Sequence, residues 1–339
     1  MSAWSLEGGR LTLSSPKIKI WFEVPEDFEM PHAALLSLAE WLLFEHPKYE
    51  KVGDAVGGRD FGDNIGCDYS GGSDSMAAFE LLPSAIPIQL QYESYIKRDL
   101  YENSSNAIRC YSPHKIIKTN IEKIGKEYGK KSIGLWGFSA FSVGAVLFAD
   151  YYNLKTIASG YCIETHLNPR VNDKTLEVKK IIRDRYNKAG LHYAFPVSGL
   201  TEISTTKIAL SSKASRFISY CIRGPGGTPC NRCVKCYRKG PLHGLHLPGD
   251  PPKSLKHFSK KKILVPHIWV WLQQGGVYNH AELEELKDYN VSWADKLYLP
   301  FFEADVPKYL QDSVKAKIQS YGIQTCSDPT LLSDWIIQK

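Results

Sequence analysis

Apolar and polar positions alternate imperfectly over residues 17–24, which predicts a strand, and apolar residues recur at helical spacing over 32–44. Neither segment carries an obvious reactive cluster. Residues 53–63 are rich in glycine and aspartate and read as a loop or linker into a short strand over 64–69. From there the periodicity alternates. It predicts helices over 75–82, 116–128 and 142–152, and strands over 86–91, 132–136 and 156–159. Strands alternating with helices imply βαβ units, so the expected fold is α/β with a doubly wound parallel sheet. Residues 247–252 hold three prolines and a glycine and break regular structure, and helical patterns with aromatics follow over 262–339. The expected organisation is an N-terminal α+β extension over 1–62, a core over 63–246 and a mainly helical C-terminal extension over 254–339.

Composition narrows the class. A chain of 339 residues has room for an α/β core with additions at both ends. With 43% hydrophobic and 12% aromatic residues it is expected to fold rather than remain disordered. The net charge of +6 is spread along the chain apart from Lys260-Lys261-Lys262, a run that reads as a solvated face; nucleic acid is possible as a partner but not indicated. No basic start with an apolar run follows Met1, and no 18-residue apolar stretch occurs, so no membrane partner and a cytoplasmic location are expected. Eight cysteines are too few for a disulfide scaffold. Three of them fall within seven positions, which in a reducing compartment points to metal ligation.

Two motifs carry chemistry. In Ser70-Gly71-Gly72-Ser73-Asp74-Ser75 the glycines let the backbone approach a ligand that a β-carbon would block. The hydroxyls of Ser70, Ser73 and Ser75 add donors, and the helix that follows turns its free N–H groups and positive dipole end toward the same anion. A plain glycine turn capped by Ser73 or Asp74 explains single residues but not the whole set between a strand and a helix. The second motif is Cys221, Cys230, Cys233 and Cys236, spaced C-x8-C-x2-C-x2-C. Four thiolates at such spacing make a closed tetrahedral zinc site, structural because no position remains for water. An iron–sulfur cluster or free thiols are the alternatives, and His243 and His246 stand near enough in sequence to replace a cysteine.

The loop resembles the SGGxDS signature of the PP-loop ATP pyrophosphatases, whose fold is of the adenine nucleotide alpha hydrolase kind. The cysteine spacing resembles that of the 7-cyano-7-deazaguanine synthases within that group. The resemblance covers roughly residues 64–240. It implies that Ser70, Gly71, Gly72, Asp74 and Ser75 hold the β- and γ-phosphates of ATP. It further implies that Gln91 and Tyr92 flank adenine and ribose, that Ser159 and Gly160 form a small-residue turn beside them, and that Asp74 lies near Mg²⁺. Asp74, Ser75 and Lys207 are the candidates closest to the chemistry. The loop lacks the lysine of a Walker motif, which disfavours γ-phosphoryl transfer. The expected reaction is adenylation of a small-molecule or macromolecular carboxylate, with pyrophosphate released and AMP then displaced by a nitrogen nucleophile, in a possible homodimer. Two other readings are an ATP-dependent epimerase of a cell-wall glutamyl precursor, with Glu164 or His166 as base, and a non-catalytic nucleotide- or tRNA-binding module.

Overall fold

The computed structural model describes residues 3–16, 18–44, 55–93, 101–127, 142–166, 173–221, 224, 228–245, 247, 266–277, 288, 290–299 and 302–326. The strand expected over 132–136, His246 and Lys260-Lys261-Lys262 lie outside these residues. An eight-stranded mixed sheet organises the chain. Its centre is five parallel strands in the order β6 (Lys115–Thr119), β5 (Ile86–Tyr92), β4 (Asn64–Asp68), β7 (Leu154–Ala158) and β8 (His192–Ala194). Three antiparallel strands, β1 (Ala3–Glu7), β2 (Arg10–Ser14) and β3 (Lys19–Glu23), extend the sheet beyond β6 through the pairing of Phe22 with Thr119. The sheet is therefore mixed rather than wholly parallel, and residues 1–62 contribute to it directly.

Two local features explain departures from the expected elements. Gly8 and Gly9, at φ +55° and +72°, form a two-residue hairpin turn that sets Glu7 opposite Arg10 and folds β1 onto β2. Residues 116–119, expected to be helical, belong to strand β6. Their run of Ile116, Ile117 and Thr119 suits a pleated strand, and Ile117 and Thr119 alternate into the interior. The helix α4 (Ile121–Glu127) begins only after Asn120, whose side chain accepts from the Trp21 N–H and donates to the Lys19 carbonyl of β3.

Helices cover both faces. Ile86, Ile88, Ile117, Leu154, Ile157 and Tyr193 pack against α1 (Ala33–Phe44), α5 (Val143–Leu147) and α7 (Asp173–Lys188). On the opposite face Ile65, Cys67, Ala158 and Ala194 meet α2 (Ser73–Glu80), α8 (Glu202–Leu210) and the helix Lys308–Ser320. That last helix buries Leu310, Val314 and Ile318 at four-residue spacing, each worth about 1.5–3 kcal/mol on full burial. Part of the C-terminal segment thus shares the core of α2. No helix among the described residues is long and apolar enough to cross a membrane.

Candidate functional site

In the strand order β6-β5-β4-β7-β8 the direction of winding reverses between β4 and β7, and the crevice at the carboxyl ends of that strand pair is where open α/β sheets bind ligands. The sequence places 70–75 at the end of β4 and Ser159-Gly160 at the end of β7, so both line this crevice. Gly71 adopts φ +75°, and a β-carbon there would come within 2.5 Å of Ser104 Cβ on α3 (Glu102–Ile108). At Gly160 a β-carbon would meet the Asp74 backbone at 2.6 Å, so the turn after β7 lies against the first turn of α2.

Hydrogen bonds preform the loop. The Ser75 hydroxyl donates to the Gly72 carbonyl at 3.0 Å and accepts from the Ser70 N–H at 3.2 Å, and its oxygen lies 3.0 Å from Ser70 Oγ. The Ser219 N–H donates to the Gly71 carbonyl at 2.8 Å, tying the loop to the segment that leads into Cys221. Ser73 and Ser75 are buried and Ser70 is exposed, which leaves Ser70 as the hydroxyl facing solvent.

Asp74 is held from two distant elements. Its Oδ1 accepts from Thr205 Oγ1 of α8 at 2.6 Å, and its Oδ2 accepts from Lys239 Nζ at 2.8 Å. Lys239 ends the helix α9 (Val234–Lys239), is buried, also donates to Ser73 Oγ at 3.1 Å and lies 3.8 Å from Glu202. Burial opposes ionisation of Asp74, but the Lys239 ammonium, the Thr205 hydroxyl and the charge of Lys235 outweigh it and hold the carboxyl below the usual carboxylate range. Burial likewise disfavours charge on Lys239, yet Asp74 and Glu202 raise it above the ordinary lysine value. The ion pair extends into the interior: Arg238 contacts Glu202 at 2.9 Å, and Glu164 accepts from the Glu202 N–H at 2.9 Å and lies 2.8 Å from His267. Asp74, Cys162 and Glu202 also approach within 4.8 Å of one another. The Lys239 ammonium lies 2.8 Å from Asp74 and 3.8 Å from Glu202, so no metal is assigned to the three side chains together.

The other expected residues are placed as follows. Lys207 is exposed on α8 two positions from Thr205, about 200° around the helix, and points away from Asp74. The lysine at the loop is Lys239, not Lys207. Gln91 donates through Nε2 to Ser105 Oγ at 2.5 Å, which commits its amide to α3, and Tyr92 meets Tyr101 edge to face. Glu164 is buried in the network just described. The side chain of His166 lies outside the described residues.

Asp68, at the end of β4, was given no role by the sequence. One oxygen accepts from the Ser159 hydroxyl, and the Tyr193 hydroxyl lies 3.0 Å from Ser159 Oγ. Burial pushes the Asp68 carboxyl up to about 7, with the Ser159 bond acting in the opposite direction. A raised carboxyl pKa favours the folded state most below the unfolded value near 4, and that benefit fades as pH rises through 7. Asp68→Asn should therefore stabilise the protein at pH 8 by on the order of a few kcal/mol and change it little at pH 4. Urea unfolding at the two pH values checks this, and an equal effect at both would refute the buried-carboxylate account.

The four cysteines converge, their sulfurs all within 4.8 Å of one another. Cys221 and Cys233 sulfurs stand 4.0 Å apart, Cys230 and Cys236 3.8 Å, and Cys233 and Cys236 3.5 Å. A tetrahedron with zinc–sulfur bonds of about 2.3 Å has edges of about 3.8 Å. Backbone N–H groups of Cys230 and Cys236 donate to the sulfurs of Cys221 and Cys233, each at 3.4 Å, which stabilises thiolate charge. The donor set and its spacing fit a zinc ion. His243 instead stacks on Tyr220 with ring centroids 4.8 Å apart, and burial followed by the charge of Lys239 lowers it to about 4. Cys233 caps α9, so the cysteine site and Lys239 lie at opposite ends of one six-residue helix.

Residues 182–252 match the model described as "Family of unknown function (DUF6395)". That segment contains Thr205, Glu202, the four cysteines and Lys239, and does not include the loop Ser70 to Ser75. No curated protein matches the chain.

Proposed function

We propose that the chain is an ATP-dependent adenylating enzyme of the PP-loop type, which cleaves ATP to AMP and pyrophosphate, activates a carboxylate and passes it to a nitrogen nucleophile. The observation carrying this reading is the position of Ser70 to Ser75 at the crevice where the sheet reverses its winding, on a helix N-terminus with Lys239 fixed beside it. The N–H groups of the first turn of α2 have no intrahelical acceptors and would bind the β- and γ-phosphates with the Ser70 hydroxyl. Lys239 supplies a fixed positive charge next to Ser73, where pyrophosphate accumulates charge on leaving. Asp74 would hold Mg²⁺, each of its oxygens retaining a lone pair beyond the bonds from Thr205 and Lys239; the ion neutralises phosphate charge when bound. Zinc at the four cysteines would be structural, fixing α9 and through it Lys239.

The test incubates purified protein with ATP, Mg²⁺ and a panel of carboxylic acids and follows the nucleotide products. AMP with pyrophosphate is expected, and ADP would overturn the proposal. Ser70→Ala should lower turnover about 10–100-fold, the value of one hydrogen bond to a charged group. Unchanged turnover in that variant would remove the loop from the site.

A further inference from the structure

The unassigned carboxylate of Asp68 lies in the same crevice, on the β7 side of the phosphate loop. Asp68 as a residue is only partly buried. Its charge acts on groups of several surrounding elements, disfavouring ionisation of Cys67 on its own strand, Tyr92 at the end of β5, Tyr161 after β7, Tyr186 on α7 and Tyr193 on β8. Tyr186 and Tyr193 stack in parallel at 4.4 Å, and Phe195 closes on Tyr193 at 4.6 Å and Tyr161 at 5.4 Å. Among the described residues no lysine, arginine or histidine forms an ion pair with Asp68, in contrast to Asp74, Glu164 and Glu202 of the adjoining network.

A carboxylate that forms no ion pair among the described residues and whose charge acts on several tyrosines is complementary to a ligand that brings its own positive charge and N–H donors. We propose that the crevice formed by Asp68, Ser159 and the surrounding tyrosines binds a primary ammonium group, and that the Asp68 carboxylate accepts its proton to release the free amine.

This rests on the adenylation reading for its purpose: it would supply the nitrogen nucleophile. One N–H bond of the ammonium breaks, its proton passing to the Asp68 oxygen that does not accept from Ser159 and its electron pair remaining on nitrogen. That lone pair forms the C–N bond at the acyl carbon of the adenylate, and the C–O bond to AMP breaks with its electrons on the phosphate oxygen. The proton left on the new nitrogen is lost to water. The Asp68 carboxyl, raised to about 7, is poised to take and return a proton near neutral pH. The bond from Ser159 fixes the other oxygen, and the Tyr193 hydroxyl in turn fixes Ser159.

The experiment uses the full chain labelled with ¹³C at aspartate side-chain carboxyls, the Asp68 signal being assigned by its loss in Asp68→Asn. At pH 8 and constant ionic strength, methylammonium chloride should shift this signal saturably. Tetramethylammonium, which keeps the charge but has no N–H, should bind at least tenfold more weakly. Absence of a saturable shift, or an equal response to both cations, overturns the proposal. Ser159→Ala should move the Asp68 titration midpoint upward, because the hydroxyl stabilises the ionised form; an unmoved midpoint also counts against it. Binding of α,β-methylene-ATP is measured in parallel and should survive in Asp68→Asn, which confirms a folded site. If the wild-type chain fails to bind this analogue, the adenylation reading fails, while the ammonium site is judged by its own signal.

Discussion

Lys239→Met is expected to destabilise the protein by about 3–5 kcal/mol at pH 8, the range for removing one partner of a buried ion pair. The substitution keeps the apolar stem but leaves Asp74 and Glu202 without the ammonium that lies 2.8 and 3.8 Å from them. In the intact protein Asp74 is held below its ordinary pKa, so its contribution to stability is present above pH 4 and lost as pH falls below that. Without Lys239 burial is opposed only by the Thr205 bond and the charge of Lys235, so the sign is expected to reverse and the variant to regain stability as pH is lowered from 8 to 5. Adding Asp74→Asn should restore much of the loss, because it removes the carboxylate that has lost its ammonium, while Glu202 keeps Arg238 at 2.9 Å. Urea unfolding of the two single variants and the double variant forms the cycle. A loss below 1 kcal/mol at pH 8, or strict additivity, would show that the pair is not coupled as described.

Removal of zinc is expected to have the second large effect. Purified protein should contain one zinc per chain, and Cys236→Ser or a strong chelator should lower the melting temperature by several degrees or more. The sulfur positions explain the extent of the damage. Cys233 caps α9 through its sulfur, and a six-residue helix is too short to persist alone, so losing the ion frees the element that carries Lys239. Loss of zinc should therefore also weaken nucleotide binding, and adding Lys239→Met to the zinc-free protein should cost less than it does in the zinc-bound one. Metal analysis that finds iron with visible absorption would replace zinc by an iron–sulfur cluster. A chain that lacks any metal yet melts unchanged after chelation would refute the role altogether.

The two motifs were legible because their information is local. Glycines and serines between a strand and a helix, and cysteines two residues apart, announce themselves within a dozen positions. Lys239 and Asp68 carry no such mark. Lys239 reaches a carboxylate 165 positions earlier, and Asp68 meets a hydroxyl 91 positions later, pairings fixed by the order of strands rather than by any period in the chain. Lys207 is a candidate through the resemblance alone, and helical rotation turns Thr205 toward Asp74 and Lys207 outward. The hairpin at Gly8-Gly9 did have a readable signal, a glycine pair between Leu6 and Leu11, whereas β6 was obscured because Ile117, Ile121 and Ile124 continue at helical spacing across a strand end.

Three short strands at the start of the chain also determine how the sheet meets its surroundings. Without β1 to β3, strand β6 would present an unsatisfied row of N–H and C=O groups, a template for strands of other molecules. Their addition moves the free border to β1, five residues whose side chains are exposed or only partly covered, while the opposite border is the three-residue β8. The segment that precedes the loop at Ser70 thus sets which strand forms the sheet's border among the described residues, replacing β6 with a strand of equal length whose side chains are more exposed.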